Sequence, residues 1–194
     1  MPKAAQVRGP LNQRASIRKY RPDDAPELFA AVQESRHELL PWMPWATAAY
    51  SLADAERWVQ TTLEGHDSGV MYDFAIVDAA DRYVGGCGLN QISNANKLAN
   101  LGYWVRSSSA GRGAAVCAVQ ALVEWAFERT DLNRLEVVVA IANTRSRRVA
   151  EKTGATLDAV LRQRLVIDGL STDAALYSFV RPERGAGPPS PPLE

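Results

Sequence analysis

The sequence predicts a mixed α/β fold: a central, mostly antiparallel sheet of about seven strands, flanked by about four helices. Three observations carry this. Residues 72–77 and 83–91 read as two strands about the turn Asp78–Asp81, and 156–166 and 172–180 as two more joined around Asp168-Gly169, which is the pattern of antiparallel hairpins. Between the strand-like runs 98–105 and 135–141, the apolar period changes to that of a helix, which makes a parallel βαβ crossover. Two further helical segments lie before residue 70.

In chain order, a short strand is expected near Ala15–Lys19. Arg21-Pro22-Asp23-Asp24 supplies a turn and an N-cap for a helix over about 24–35. Leu39–Trp45 holds two prolines, which prevent a regular helix. Ser51 opens a second helix that is expected to end near Gly65. Tyr72, Phe74 and Ile76 alternate with Asp73, Ala75 and Val77, Asp78–Asp81 turns, and Tyr83–Gln91 returns. Residues 98–105 form the next strand. From Gly111 to Arg129, Ala115, Val119, Leu122, Val123 and Ala126 fall on one helical face, opposite Gln120, Glu124 and Glu128. Leu135–Ile141 is a β-branched run suited to a buried strand. Asn143 caps a short helix that Gly154 closes, and two last strands join around Asp168-Gly169. Residues 1–13 read as a flexible arm, 14–182 as the single domain, and the Pro/Gly-rich 183–194 as a disordered tail.

Composition narrows the classes of function. The 194 residues are 46% hydrophobic and 23% charged, an ordinary globular balance. Twenty-two basic residues match twenty-two acidic ones, so nothing calls for nucleic acid or a membrane surface as partner. No apolar run approaches the roughly 20 residues of a membrane span, and the N-terminus lacks the apolar stretch of a secretory signal. Cys87 and Cys117 make no disulfide framework and fit a reducing cytoplasm. His37 and His66 lie far apart in sequence, so no metal site is expected.

Two segments carry chemistry. Ser107-Ser-Ser-Ala-Gly-Arg-Gly-Ala114 joins a strand to a helix through small residues, so its backbone N–H groups and the helix start make an anion site. It lacks the full signatures of a Walker A loop and of a dinucleotide fingerprint, and a plain loop explains it equally well. Asn143–Gly154 places Arg145, Arg147 and Arg148 in the first turns of a helix, where cations oppose the dipole unless an anion lies near. A solvated surface is the alternative, and Asn143 reads equally as a simple N-cap.

Taken together, Leu101-Gly-Tyr-Trp-Val105, Gly111-Arg-Gly113, Leu132-Asn-Arg134 and Asn143-x-x-Ser146-Arg-Arg-Val-Ala-Glu-Lys-x-Gly154 resemble, in order and spacing, the core of the GNAT acyltransferase superfamily. They are similar in particular to its ribosomal-protein N-terminal acetyltransferase (Rim-type) branch. His37-Glu-Leu-Leu-Pro-Trp-Met-Pro-Trp45 and the late Arg162-Gln…Asp168-Gly…Asp173…Tyr177 extend the likeness over about residues 14–180.

The resemblance implies a GNAT-like sheet with a splayed pair of strands, 98–105 and 135–141, that part around the thioester of acetyl-CoA. It implies that Trp104, Val105 and Arg106 lie along the pantetheine arm, that Gly111, Arg112, Gly113 and Ala114 give backbone N–H groups to the pyrophosphate, and that Arg148 adds charge to the cofactor side. It assigns Asn143 to the pantetheine and Ser146 to the sulfur as proton donor. The family loop usually reads Gln/Arg-x-x-Gly-x-Gly/Ala, and this chain has Ser108 at the first position, which removes one long side chain from the cradle. Trp42, Met43 and Trp45 are expected either to wall an acceptor pocket or to pack beneath the loop. Glu136, Asp73, Glu38, His37 or a water relayed to a carboxylate can take the proton of the attacking amine, and the sequence chooses none of them. The implied partners are an acyl-CoA and an amine acceptor, first a protein N-terminal α-amine, with a polyamine, amino acid or antibiotic as the alternative. A succinyl donor, a non-catalytic CoA-binding module and a homodimer remain open at this point.

Overall fold

The computed structural model describes residues 15–182. The expected arm 1–13, residue 14 at the domain's start, and the tail 183–194 lie outside the described residues.

The elements in order are β1 (Ser16–Lys19), α1 (Ala25–Leu39), α2 (Leu52–Ser68), β2 (Tyr72–Val77), β3 (Tyr83–Ser93), β4 (Leu98–Val105), α3 (Ala114–Arg129), β5 (Arg134–Ala140), α4 (Thr144–Lys152), β6 (Thr156–Ile167) and β7 (Leu170–Val180). They form one seven-stranded sheet in the order β1-β2-β3-β4-β5-β7-β6. Every neighbouring pair is antiparallel except β4 and β5, the ends of the βαβ crossover.

Two helix ends depart from expectation for identifiable reasons. α1 runs on to Leu39, with Leu28, Ala31, Val32, Ser35 and Leu39 all buried, so its core-facing stripe continues almost to Pro41. α2 continues past Gly65 to Ser68 and is closed by Gly69 in the left-handed region at φ 72°. Gly65 is needed for space, because a Cβ there would lie 2.2 Å from Met71 Cγ.

Strand alternation divides the core between the two faces of the sheet. α3 packs Ala118, Val119, Ala121, Leu122 and Ala126 with Ile17, Phe74, Ile76, Leu89 and Leu101. α1 and α2 pack Leu28, Ala31, Val32, Ala55 and Val59 with Ala75, Val77 and Tyr83. At the β1 end, buried Arg18 donates Nη1 and Nη2 to the two oxygens of Asp24, both at 2.7 Å, and Nε to Asp81 at 2.9 Å. This paired geometry fixes the turn into α1 and holds the guanidinium pKa well above its usual range.

Candidate active site

The site begins where the sheet comes apart. β4 and β5 pair at Leu98↔Arg134, Ala99↔Leu135 and Asn100↔Glu136, and there the pairing stops, although both strands continue. β5 remains in register with β7 along its whole length, and β4 with β3 from Asn100 to Val105. The result is a wedge-shaped gap in the middle of the sheet.

The backbone facing the gap follows from pairing. Arg106 N–H donates to Val84 C=O at 2.8 Å. Antiparallel strands alternate bonded and non-bonded residues, so Trp104 also turns its backbone groups to β3, while Tyr103 and Val105 turn theirs toward the gap. Of the three residues expected along the cofactor, Val105 is therefore the one with free main-chain groups there. The Trp104 indole lines a cavity on the α1/α2 face. The Arg106 guanidinium turns back to α1, where Nε and Nη2 donate to Glu34 Oε2 at 2.9 and 2.6 Å.

Glu34 is the centre of a clamp on the loop that follows β4. Its Oε1 accepts Ser108 N–H at 2.7 Å, Ser35 Oγ accepts Ser107 N–H at 2.9 Å, and Glu38 accepts the Ser107 hydroxyl at 3.0 Å. The hydrogen bonds from Arg106 and from the Ser108 backbone hold the Glu34 carboxyl down at about 2. Beyond the clamp, Gly111 (φ 74°) and Gly113 (φ 86°) occupy the left-handed region, and neither is crowded. Glycine is present for its backbone freedom. Gly113 is the N-cap of α3 and provides no side-chain cap, so the first-turn N–H groups of a 16-residue helix point at the exposed loop Gly111-Arg112-Gly113. These main-chain donors are open to the loop, with Ala114 buried behind them.

Across the gap, Asn143 Oδ1 accepts Ser146 N–H at 3.1 Å and caps α4. Ser146 donates its hydroxyl to Tyr103 Oη at 3.1 Å, and Tyr103 donates to the Ser146 carbonyl at 2.8 Å. Burial pushes the Tyr103 phenol up to about 12, so it stays protonated and keeps this role. Arg147 turns inward to Tyr177 Oη at 3.2 Å, and Tyr177 donates to Glu151 at 2.8 Å. Arg148 is exposed.

On the α1/α2 face, beside the gap, lies a cavity of about 750 Å³. Its floor is glycine: Gly86 and Gly88 on β3 and Gly102, which pairs with Gly88, on β4. Space is the reason at two of them, since a Cβ at Gly86 would lie 2.8 Å from Tyr20 Oη and one at Gly88 would lie 2.1 Å from Asp73 Oδ1. Trp45 closes one side, its ring 6.1 Å from Trp104 and 5.8 Å from Tyr50. Gln33 holds this segment to α1 by donating to the Tyr50 carbonyl at 2.9 Å. Met43 also lines the cavity, and Trp42 does not. Trp42 is 36% exposed outside it.

Four groups were open as proton acceptors, and Asp73 alone among them lines the cavity. Glu136 is ion-paired with Arg134 at 2.7 Å, Glu38 takes the Ser107 hydroxyl, and His37 is exposed. Tyr103, Glu34 and the glycine floor escape a reading of motifs. Strand parity is the signal that finds the floor and Tyr103: once Ala99 and Leu101 face α3, Tyr103 shares their face, and Asn100, Gly102 and Trp104 share the other. No sequence signal marks the contact of Glu34 with a loop about 70 residues away.

Among the described residues, no His, Cys, Asp and Glu cluster is placed to hold a metal, and no helix is long and apolar enough to cross a membrane.

Known proteins share both the sequence and this architecture. YdaF of Bacillus subtilis (strain 168) is 28% identical over 181 residues, which cover 89% of this chain and 94% of YdaF. The ribosomal-protein-serine acetyltransferase of Escherichia coli (strain K12) is 27% identical over 153 residues, covering 79% and 85% of the two chains. The solved structure of the ribosomal alpha-N-protein acetyltransferase RimL in complex with coenzyme A has the same fold, with a TM-score of 0.82 at 23% identity over 91% of this chain and 98% of that one. The family model of the acetyltransferase (GNAT) domain matches residues 14–156, and the chain belongs to that family of N-acetyltransferases.

Proposed function

We propose that this chain moves an acetyl group from acetyl-CoA to a primary amine by direct attack, with the α-amine of a protein N-terminus as the acceptor. The observation that carries the reading is the abrupt end of β4–β5 pairing after Asn100 and Glu136, on the strand whose following loop leads to the uncapped start of α3. A diphosphate fits the main-chain donors at 111–114, and an extended pantetheine arm fits the unpaired edge at Tyr103 and Val105. In this reading Val105 N–H polarises the thioester carbonyl. Ser146 delivers a proton to the departing sulfur, Asn143 orients the arm from the start of α4, and Arg112 and Arg148 add positive charge at the phosphate end. The names of the two curated relatives and of RimL support a ribosomal-protein acceptor.

A second acceptor class has its own supporting observation. The cavity is concave, walled by Trp45, Tyr50, Trp58 and Trp104, and contains the carboxylates Asp54 and Asp73. Such a pocket suits a compact organic cation, such as a polyamine.

Thiol release from acetyl-CoA and from succinyl-CoA tests the reading, with a serine-initiated peptide and with spermidine as acceptors. The proposal expects acetyl-CoA to be the donor and the peptide to be the better acceptor. Preference for spermidine transfers the assignment to small amines, and no release with either amine overturns it.

A further inference from the structure

We propose that Asp73 is the general base of the transfer, taking from the acceptor's ammonium group the proton it must lose before attack. The inference rests on the acetyltransferase reading above and adds a residue and a step to it.

Placement comes first. Asp73 on β2 pairs with Gly88 on β3, which pairs with Gly102 on β4, so the three residues form one row across the cavity floor. Adjacent strands lie about 4.8 Å apart, which puts the Cα of Asp73 roughly 10 Å from that of Gly102. The side chain closes part of this distance. It leans over Gly88, whose missing Cβ would otherwise lie 2.1 Å from Asp73 Oδ1. An amine above Gly102, one residue from the unpaired Tyr103 edge, is then within reach of the carboxylate directly or through one water.

The carboxylate is also unusually free to take a proton. Asp73 Oδ2 is buried and accepts no hydrogen bond from the described residues. A buried, unpaired acceptor is costly and calls for a reason. The ionisable groups around it do not neutralise it. From α2, Arg57 is paired with Asp54, and His66 uses Nε2 on the backbone carbonyl of Asp73 at 3.0 Å. Tyr20 after β1, Tyr50, Cys87 on β3 and Tyr103 on β4 complete the set, and burial raises the pKa of all four, so they remain uncharged. Desolvation without a compensating cation pushes Asp73 up to about 7, near the pH at which the reaction would operate.

The proton count closes. The ammonium gives one proton to Asp73, and its nitrogen lone pair then forms the C–N bond at the thioester carbonyl. As the C–S bond breaks, its electron pair leaves on sulfur. Ser146 gives its hydroxyl proton to the sulfur, and the proton that the new amide nitrogen loses restores the Ser146 hydroxyl. Asp73 returns its proton to solvent through the open cavity.

The test is Asp73→Asn, close to isosteric, with Gly88→Ala as a second variant whose methyl group displaces the carboxylate. Both are assayed with acetyl-CoA and whichever amine the wild-type chain acetylates, serine-initiated peptide or spermidine, and the melting shift with CoA is measured in parallel. Expected are a CoA-induced shift like that of wild type, kcat lower by about 10²-fold or more in Asp73→Asn, and loss of the acidic limb near pH 7 in its kcat/KM profile. Unchanged kcat, a retained acidic limb, or a rise in KM alone overturns the assignment. A wild-type chain that binds CoA but acetylates neither amine removes the functional reading, and the role of Asp73 with it.

Discussion

Tyr103 on β4 and Ser146 on α4 are joined by two hydrogen bonds, at 2.8 and 3.1 Å, at the level where β4 has already lost its β5 partner. Strand pairing normally holds neighbouring segments together, and here a phenol does so instead, leaving the backbone edge of β4 open. The same contact fixes the Ser146 hydroxyl at the open edge of β4, with its proton on Tyr103 Oη.

Ser146→Ala should therefore lower kcat much more than it weakens CoA binding. Protonating a leaving group is worth about 10²-fold or more in general, and a thiolate needs less help, so about tenfold is expected. Steady-state kinetics beside CoA titration separates the two effects. An unchanged kcat removes Ser146 from the proton path.

Gly113→Ala should weaken CoA binding and destabilise the chain together. Its φ of 86° lies where a Cβ costs roughly 1–2 kcal/mol, and the residue meets no crowding that would add to this. The same residue aims the first N–H groups of α3. Thermal melts with and without CoA check both effects, and a variant with wild-type stability and affinity contradicts the role given to the turn.

Glu34→Gln should loosen the loop at 106–108 without touching the reacting atoms. The Glu34 carboxylate accepts charge-assisted bonds from Arg106 and one from Ser108. Such bonds are worth about 1.5–3 kcal/mol, and partial exposure places these at the low end, so up to about tenfold weaker CoA binding is expected with kcat nearly preserved. Because the Glu34 pKa is depressed to about 2, its contribution is full above its ordinary value near 4.5 and fades as pH falls below it. Calorimetric titration of CoA at pH 7 checks the affinity, and thermal melts of wild type and variant at pH 7 and pH 4 read the fading contribution to folding stability; equal affinities for variant and wild type at pH 7 contradict the role of the clamp.

Much of this was legible beforehand. The order of strands and helices follows from periodicity, and Gly154, at φ 86°, closes α4 as a left-handed glycine should. Asn143 fits its simple N-cap reading and still opens the segment that carries Ser146. What escaped depends on juxtaposition. The resemblance places Arg106 at the end of the strand along the cofactor, and no sequence signal marks that its side chain turns to Glu34 on α1. Trp104 was assigned from its strand, while pairing parity decides which atoms of that strand are free. Asp73 is one of twenty-two acidic residues and one of four side chains that the sequence leaves open as proton acceptor; the row it forms with Gly88 and Gly102 sets it apart.

Asp73→Asn should also stabilise the folded chain at alkaline pH. Burial raises this carboxyl from its ordinary value near 3.8 to about 7. Between those values the folded chain keeps a proton that the unfolded chain has released, so stability falls as pH rises through the window. At pH 8 the variant should melt higher than wild type, by about 2–4 °C for each kcal/mol relieved at this chain length, and the difference should shrink toward pH 4. A variant that melts lower at pH 8 contradicts an unpaired buried charge at this position.

In the proposed reaction, the unpaired edge of β4 and the start of α3 together receive acyl-CoA. Backbone hydrogen exchange, followed residue by residue with and without CoA, tests it most directly. Expected on binding is slowed exchange at Tyr103 and Val105 and at 111–115, with the β3-facing amides of Trp104 and Arg106 already protected in the free chain. Tyr103 and Val105 amides that are equally protected without CoA, or that do not respond to it, would show that this edge is not where the thioester arm lies.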